Sequence, residues 1–145
     1  NGSSWSQQST NGLGLITGNT IFNHNGILFI SGAVSLSQEY ALFKSIDKGK
    51  SWKRTSDGIS SSVAINEIAV SGGDLFACGT YMDATTYKSE VRLYKSTDNG
   101  SSWSQQSING LGLITGNTIF NHNGTLFISG AVSLLQEYAV FRNLN

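Results

Sequence analysis

The stretch Ser96-Thr97-Asp98-Asn99-Gly100-Ser101-Ser102-Trp103 decides the fold, and Ser45-Ile46-Asp47-Lys48-Gly49-Lys50-Ser51-Trp52 repeats its pattern. Both stretches read Ser-x-Asp-x-Gly-x-x-Trp. The Asp side chain of such a turn can accept hydrogen bonds from backbone amides, and the Gly can take a conformation that other residues resist. The pattern predicts a tight turn that joins two strands and is covered by the tryptophan.

A third copy of this pattern is divided between the two ends of the chain. Gly2 and Trp5 align with the Gly and Trp of the pattern, and Asn145 aligns with its Asp. Joining the end of one chain to the start of another would restore a complete pattern, with Asn143 and Asn145 in place of Ser and Asp.

The same stretches mark an internal repeat. Residues 1–43 align without a gap with residues 99–141, and 39 of the 43 positions are identical. The differences are Thr10/Ile108, Ile27/Thr125, Ser37/Leu135 and Leu42/Val140. A diverged unit lies between the two copies, so the chain divides into repeats 1–47, 48–98 and 99–145. Repeats of about 40–50 residues with several short strands are typical of propeller blades.

Within each repeat the apolar residues alternate with polar ones, and turn residues interrupt the alternation every eight to twelve positions. This pattern predicts strands, which in the first repeat cover residues 4–9, 19–22, 27–31 and 40–45. Asn25-Gly26 and Asn123-Gly124 predict type I′ hairpin turns. We therefore predict an all-β fold of β-propeller blades, each with four antiparallel strands, and three blades per chain.

The two complete patterns resemble the Asp-box, also called the BNR repeat, of sialidase-like β-propellers. The resemblance implies that each box joins the third and fourth strands of a blade, at the edge away from the ligand-binding face. It gives structural roles to Ser45, Asp47, Gly49, Trp52, Ser96, Asp98, Gly100 and Trp103, and to Gly2, Trp5 and Asn145 of the divided copy. It implies a fold and not an activity.

The sialidase chemistry of that family is not matched here. It would require an arginine cluster for a carboxylate, but the chain has only Arg54, Arg92 and Arg142, and it has no proline. A glycosidase using paired carboxylates stays open as an alternative, since Glu39, Glu137, Asp83 and Glu90 lie in or beside loops. We predict no catalytic residue.

Composition narrows the possible partners. Nine basic and nine acidic residues give no net charge, so we expect neither a nucleic acid nor a membrane partner. His24 and His122 lie in tight hairpins, and Cys78 is the only cysteine, so we expect no metal and no cofactor. The sequence does not fix a compartment, and secretion or a cell-surface location is favoured.

The face opposite the boxes is the predicted binding face. We expect the blade-to-blade connections 10–18, 55–62 and 108–116 to meet there with loops 32–40, 79–90 and 130–138. Aromatic rings with amides and carboxylates suit carbohydrate or peptide binding. The candidate ligand-binding residues are Asn11, Gln38, Glu39, Tyr40, Tyr81, Asp83, Tyr87, Asn109, Gln136, Glu137 and Tyr138.

Three functions remain open from the sequence. The first is a non-catalytic binding module, lectin-like or peptide-binding, with a site repeated in each blade. The second is a self-assembling structural scaffold, or a fragment of a larger propeller, without a ligand. The third is a glycosidase.

The expected partner is a second copy of the chain. Propellers have four to eight blades, so three blades do not close a ring. Residues 4–9 of one chain should add to residues 138–142 of a neighbour by β-augmentation. Head-to-tail closure then gives a six-bladed dimer as the preferred assembly and a nine-bladed trimer as the second.

Overall fold

The computed structural model describes residues 4–14, 16–35, 37, 39–112, 115–132 and 137–143. These residues contain strands and turns but no helix, so no helix there could cross a membrane. The strands are β1 (Ile16–His24), β2 (Ile27–Val34), β3 (Glu39–Ser45), β4 (Lys53–Arg54), β5 (Val63–Ser71), β6 (Asp74–Met82), β7 (Ser89–Ser96), β8 (Ser104–Gln105), β9 (Thr118–His122), β10 (Thr125–Ala131) and β11 (Tyr138–Arg142).

The strands form three antiparallel sheets in which neighbours along the chain are neighbours in space. The first sheet has the order β1-β2-β3-β4, the second β5-β6-β7-β8 and the third β9-β10-β11. The first strands lie side by side, since β5 contacts both β1 and β9. Successive antiparallel meanders are typical of β-propellers, which confirms the predicted all-β propeller class. The third sheet has three strands among the described residues, where four were predicted.

The start of the chain differs from the prediction. Residues 4–9 were expected to form a strand, but residues 4–10 have no strand pairing. Their counterparts after the other two turns form the short strands β4 and β8, which pair with β3 and β7 of the preceding sheet. In both cases the fourth strand pairs with the third strand of the same sheet, and no described strand of this chain precedes residues 4–9.

The hairpin predictions are confirmed. Asn25 and Gly26 have φ of 50° and 81°, and Asn123 and Gly124 have φ of 51° and 85°. Two successive positive φ values define the type I′ turn, whose twist matches that of the flanking strands. These turns fix the register of β1 with β2 and of β9 with β10.

Apolar side chains fill the space between adjacent sheets. Phe29 and Leu42 of the first sheet belong to one buried cluster with Ile68 and Tyr94 of the second. A second cluster joins the second and third sheets. Burying a side chain such as Phe29 contributes about 1.5–3 kcal/mol.

Polar bonds cross the same interfaces. The Ser31 hydroxyl donates to the carbonyl oxygen of Ile65 at 2.6 Å, and the Asn66 amide donates to that of Gly116 at 2.6 Å. Pairing these buried polar groups avoids the cost of desolvating them without a partner.

Candidate functional site

The two Ser–Asp turns, residues 45–51 and 96–102, are held by their own side chains. The Asp98 carboxylate accepts the amides of Ser101 and Ser102, both at 2.9 Å, and the Ser102 hydroxyl at 2.6 Å. The Ser96 hydroxyl donates to Asp98 at 2.8 Å and accepts the Gly100 amide at 2.8 Å. The predicted role of the Asp as an acceptor for turn amides is confirmed at this position.

The first turn repeats this network around Asp47. Hydrogen bonds from the Ser51 hydroxyl, the Ser51 amide and Ser45, in that order, lower the pKa of Asp47 from 3.8 to about 2. The same kinds of bond, led by the Ser102 hydroxyl, lower the pKa of Asp98 as well. Both carboxylates thus accept hydrogen bonds from the amides and hydroxyls of their own turns.

The opposite edge of the sheets carries loops of both predicted classes. The third strands β3 and β7 end at the Ser–Asp turns, so they begin at this other edge. There the Tyr40 amide donates to the carbonyl oxygen of Ser61 at 2.8 Å, and the Met82 amide to that of Ser62 at 3.5 Å. The second connection, residues 55–62, thus meets the start of β3 and the end of β6 at this edge.

The loop between β6 and β7 is organised by Asp83. Its carboxylate accepts the amides of Thr85 at 2.9 Å and Thr86 at 2.7 Å. These two bonds, with that of Thr86 first, lower the pKa of Asp83. The Tyr87 amide donates to the Asp83 carbonyl oxygen at 2.8 Å, and the Asp83 amide donates to the Lys88 carbonyl oxygen at 3.0 Å. The loop is closed by its own hydrogen bonds.

This loop presents an aromatic ring beside polar groups. Tyr87 has a φ of 55° and is 79% exposed. A small open cleft of about 340 Å³ is formed by the same loop, and the residues on either side of Tyr87 in the sequence, Thr86 and Lys88, line it. The cleft is lined by Tyr81, Asp83, Thr86, Lys88, Ser89 and Glu90.

Arg92 contacts two of the residues that line this cleft, Tyr81 and Glu90. Its guanidinium lies 5.0 Å from the ring centroid of Tyr81, and it pairs with the Glu90 carboxylate at 2.6 Å. Stacking and charge pairing hold the Tyr81 ring and the carboxylate in fixed positions. Lys88 and Arg92 were not among the predicted site residues. The position of Arg92 two residues after Glu90 on one strand was the available signal, because side chains at i and i+2 share a face.

The other two sheets carry related but not identical residues at this edge. Glu39 pairs with Arg54 at 3.2 Å in the first sheet. In the third sheet the Glu137 carbonyl oxygen accepts the Val132 amide at 2.8 Å, and Tyr138 is exposed. Glu39 and Tyr40 thus lie at the end of a loop in the first sheet, and Glu137 and Tyr138 lie at the end of the corresponding loop in the third sheet.

Two predicted residues lie elsewhere. The Asn11 carbonyl oxygen accepts the Trp52 amide at 2.9 Å, which places Asn11 beside the tryptophan of the first Ser–Asp turn rather than at the opposite edge. Asn109 lines a different cavity, next to β10 and β11. The second connection begins three residues after Trp52, and its last residues, Ser61 and Ser62, are the ones that bond to β3 and β6. Gln38 and Gln136 lie outside the described residues, as do Gly2 and Asn145.

The remaining reactive side chains form no site in the described part of the chain. Cys78 is buried, and burial, with a smaller effect of the Glu67 charge, raises the pKa of its thiol to about 12. The imidazole of His24 contacts the side chain of Asn25 at 3.0 Å within its hairpin. Among residues 4–14, 16–35, 37, 39–112, 115–132 and 137–143 no group of His, Cys, Asp and Glu could hold a metal ion.

Comparison with known proteins finds a distant structural likeness and no match of sequence to a family. No protein-family model and no curated protein matches the sequence. Among solved structures, the chain is similar to a mutant of the Bombyx mori GH32 beta-fructofuranosidase BmSUC1 in complex with sucrose. The sequence identity is 16% and the TM-score is 0.47; the match covers 77% of this chain and 28% of that one. So distant a likeness does not bear on activity.

Proposed function

We propose that this chain is a non-catalytic propeller module that binds carbohydrate through the Tyr87 loop, defined as residues 81–90. The observation that carries the proposal is the exposed Tyr87 side chain on a closed loop whose other residues line a cleft with carboxylate, ammonium and hydroxyl groups. A ring can cover the apolar face of a sugar, while the polar groups orient its hydroxyls.

The internal hydrogen bonds of the loop favour binding. Asp83 fixes the backbone through Thr85, Thr86 and Tyr87 before any ligand arrives. A loop that is already ordered loses less conformational entropy on binding, so a small contact area can give measurable affinity. Related loop ends in the other sheets would add weak sites, and several weak sites on one assembly gain strength through multivalency.

The contacts of the carboxylates favour binding over glycoside hydrolysis. Glu90 is paired with Arg92, Glu39 with Arg54, and Asp83 with loop amides. A glycosidase needs one carboxyl group that donates a proton and a second that acts as base or nucleophile. A carboxylate that already accepts hydrogen bonds from a cation or from backbone amides is poorly placed to donate a proton to a leaving group.

A glycan array with the purified chain tests the proposal, together with a peptide array of matched density. Binding to a subset of glycans that weakens at least tenfold in Tyr87→Ala supports it. The matched control is Ile46→Ala, which removes an exposed apolar side chain from a Ser–Asp turn at the other edge. Equal binding to all glycans, or binding confined to peptides, contradicts the carbohydrate assignment. Turnover of chromogenic glycosides that is lost in Glu90→Gln would establish the glycosidase instead.

A second candidate function is a structural scaffold that closes by head-to-tail assembly, and the outer surfaces of the first and third sheets favour it. Ile21 is 68% exposed, whereas its counterparts Ile68 and Ile119 are 2% and 1% exposed between sheets. Val140 is exposed on the third sheet, whereas its counterpart Leu42 is buried. Each end of the chain thus presents the face that the internal interfaces cover, which suits a heterologous contact between copies.

Light scattering separates the possible assemblies. A species of twice the 15.5 kDa chain mass supports the six-bladed dimer, and three times supports the nine-bladed trimer. In this proposal the Ser–Asp turns are Asp-boxes, and the divided third box is completed between chains. A folded monomer at micromolar concentration contradicts the scaffold but leaves the carbohydrate site testable.

A further inference from the structure

The tryptophan after each Ser–Asp turn is seated in the connection that precedes the first strand of the same sheet. Trp52 donates from Nε1 to the carbonyl oxygen of Ser9 at 3.2 Å and from its amide to that of Asn11 at 2.9 Å. Trp103 makes the same pair of bonds to Thr55 at 3.0 Å and Asp57 at 2.9 Å. We call residues 9–12 and 55–58 the first and second Trp cradles.

A glycine completes each cradle. Gly12 has a φ of 87°, and a Cβ atom there would lie 2.0 Å from the carbonyl oxygen of Trp52. Gly58 has a φ of 84°, and a Cβ atom there would lie 1.9 Å from that of Trp103. Only glycine permits so close an approach of the tryptophan backbone.

The third sheet has the same cradle, residues 107–110, and it borders a cavity of about 480 Å³. Gly110 keeps a φ of 83°, but no atom lies within 4 Å of where its Cβ would be. Leu111, Ile128 and Phe141 line the cavity. Their repeat counterparts Leu13, Ile30 and Phe43 belong to the apolar cluster against which Trp52 packs. In the described part of the chain no tryptophan lines this cavity.

The occupant that fits this cavity is present elsewhere in the chain. Trp5 lies in the hexapeptide Ser-Trp-Ser-Gln-Gln-Ser, identical to the one around Trp103, and it is 93% exposed. Its own chain already uses residues 9–12 to hold Trp52. We propose that Trp5 of a second copy docks into this cavity, with its indole N–H donating to the Ser107 carbonyl oxygen and its amide to that of Asn109. This contact rests on the head-to-tail scaffold described above and specifies the residue that directs it.

Two substitutions test the contact from its two sides. Trp5→Ala removes the docking side chain, and because that side chain is exposed in the single chain, the melting of the monomer should not change. Gly110→Ala places a methyl group where the Trp5 carbonyl would lie. Its matched control is Gly73→Ala, since Gly73 has a φ of 88° and open space around it but lies in the β5–β6 hairpin. Ile46→Ala controls for the loss of an exposed apolar side chain.

The first measurement is light scattering over a dilution series. We expect the parent, Gly73→Ala and Ile46→Ala to show the assembled mass at micromolar concentration. Trp5→Ala and Gly110→Ala should require at least a hundredfold higher concentration for the same mass. Trp5→Ala assembling at the parent concentration would overturn the inference.

The second measurement is acrylamide quenching of tryptophan fluorescence, which distinguishes this contact from assembly in general. In the parent the quenchable fraction should rise on dilution, as Trp5 returns to water, and in Trp5→Ala it should not change. A parent that assembles while Trp5 stays quenchable refutes the docking but leaves the head-to-tail scaffold in place. A parent that stays monomeric refutes both.

Discussion

Gly100 offers the sharpest test of packing between the first two sheets. A Cβ atom at Gly100 would lie 2.4 Å from Cε1 and 2.8 Å from Cζ of Phe29, whose side chain is fully buried. Gly49 holds the same place in the other Ser–Asp turn, but there the nearest atom is Cδ1 of Leu28 at 3.7 Å. The φ values are 73° and 84°, so the two glycines differ mainly in the space around them.

The comparison of Gly100→Ala with Gly49→Ala therefore isolates overpacking. Both substitutions force an alanine into the left-handed region, which costs about 1–2 kcal/mol. Only Gly100→Ala also drives a methyl group into the Phe29 ring, and overpacking a closely packed core costs about 1–3 kcal/mol more. We expect Gly100→Ala to lower the free energy of unfolding by that additional amount.

Urea unfolding measures this difference. The variants are compared in the Trp5→Ala background at one chain concentration, so that assembly does not contribute to the apparent stability. Adding Phe29→Leu should reduce the extra loss from Gly100→Ala, because the shorter side chain makes room for the methyl group. Equal losses for the two alanine variants, or no coupling between Gly100 and Phe29, would refute the packing described here.

Three further results are expected. Because the pKa of Asp47 in the folded chain is lowered from 3.8 to about 2, its stabilisation is complete above about pH 4 and is lost as the pH falls toward 2; urea midpoints over this range should fall less steeply in Asp47→Asn, and parallel curves would contradict the assignment. The Cys78 thiol, buried with a pKa of about 12, should not react with a disulfide reagent at pH 8 until the chain is unfolded in urea, and rapid labelling of the folded chain would show that it is accessible. Ser31→Ala leaves the Ile65 carbonyl oxygen without its buried donor and should cost about 1–3 kcal/mol in urea unfolding, more than the same change at the half-buried counterpart Ser129.

Local chemistry made the turns and hairpins predictable. The contacts of each Ser–Asp turn and of the two Asn-Gly hairpins lie within four residues of sequence. Their conformation therefore follows from the types of residue at these positions. The loop that carries Tyr87 lies within the predicted loop 79–90, and the length of the repeats points to it, since the middle repeat has 51 residues and the other two have 47. The contact of Arg92 with Tyr81 depends on the register of β6 with β7, which a single sequence shows less directly.

The cradles were not predictable in this way. Gly12 and Gly58 appear in the sequence as ordinary loop glycines, and Asn11 appears as a polar loop residue that could face a ligand. Their role is set by a tryptophan that lies forty or more residues further along the chain. Contacts of that range depend on the tertiary arrangement of the repeats, and the period of the repeat gives only their spacing.

Trp5 and Trp103 show that an identical local sequence does not determine whether a side chain is buried. They lie in the same hexapeptide, yet Trp5 is 93% exposed and Trp103 is 5% exposed. Burying a Trp side chain removes about 150–250 Å² from water, which at 25 cal/mol per Å² is about 4–6 kcal/mol. Association of two chains costs about 4–15 kcal/mol in lost freedom of motion, so one docked Trp5 does not hold two copies together alone. A closed ring makes the contact at every junction, and its last junction forms without a further loss of that freedom. The proposed docking therefore favours closed rings over open strings of copies.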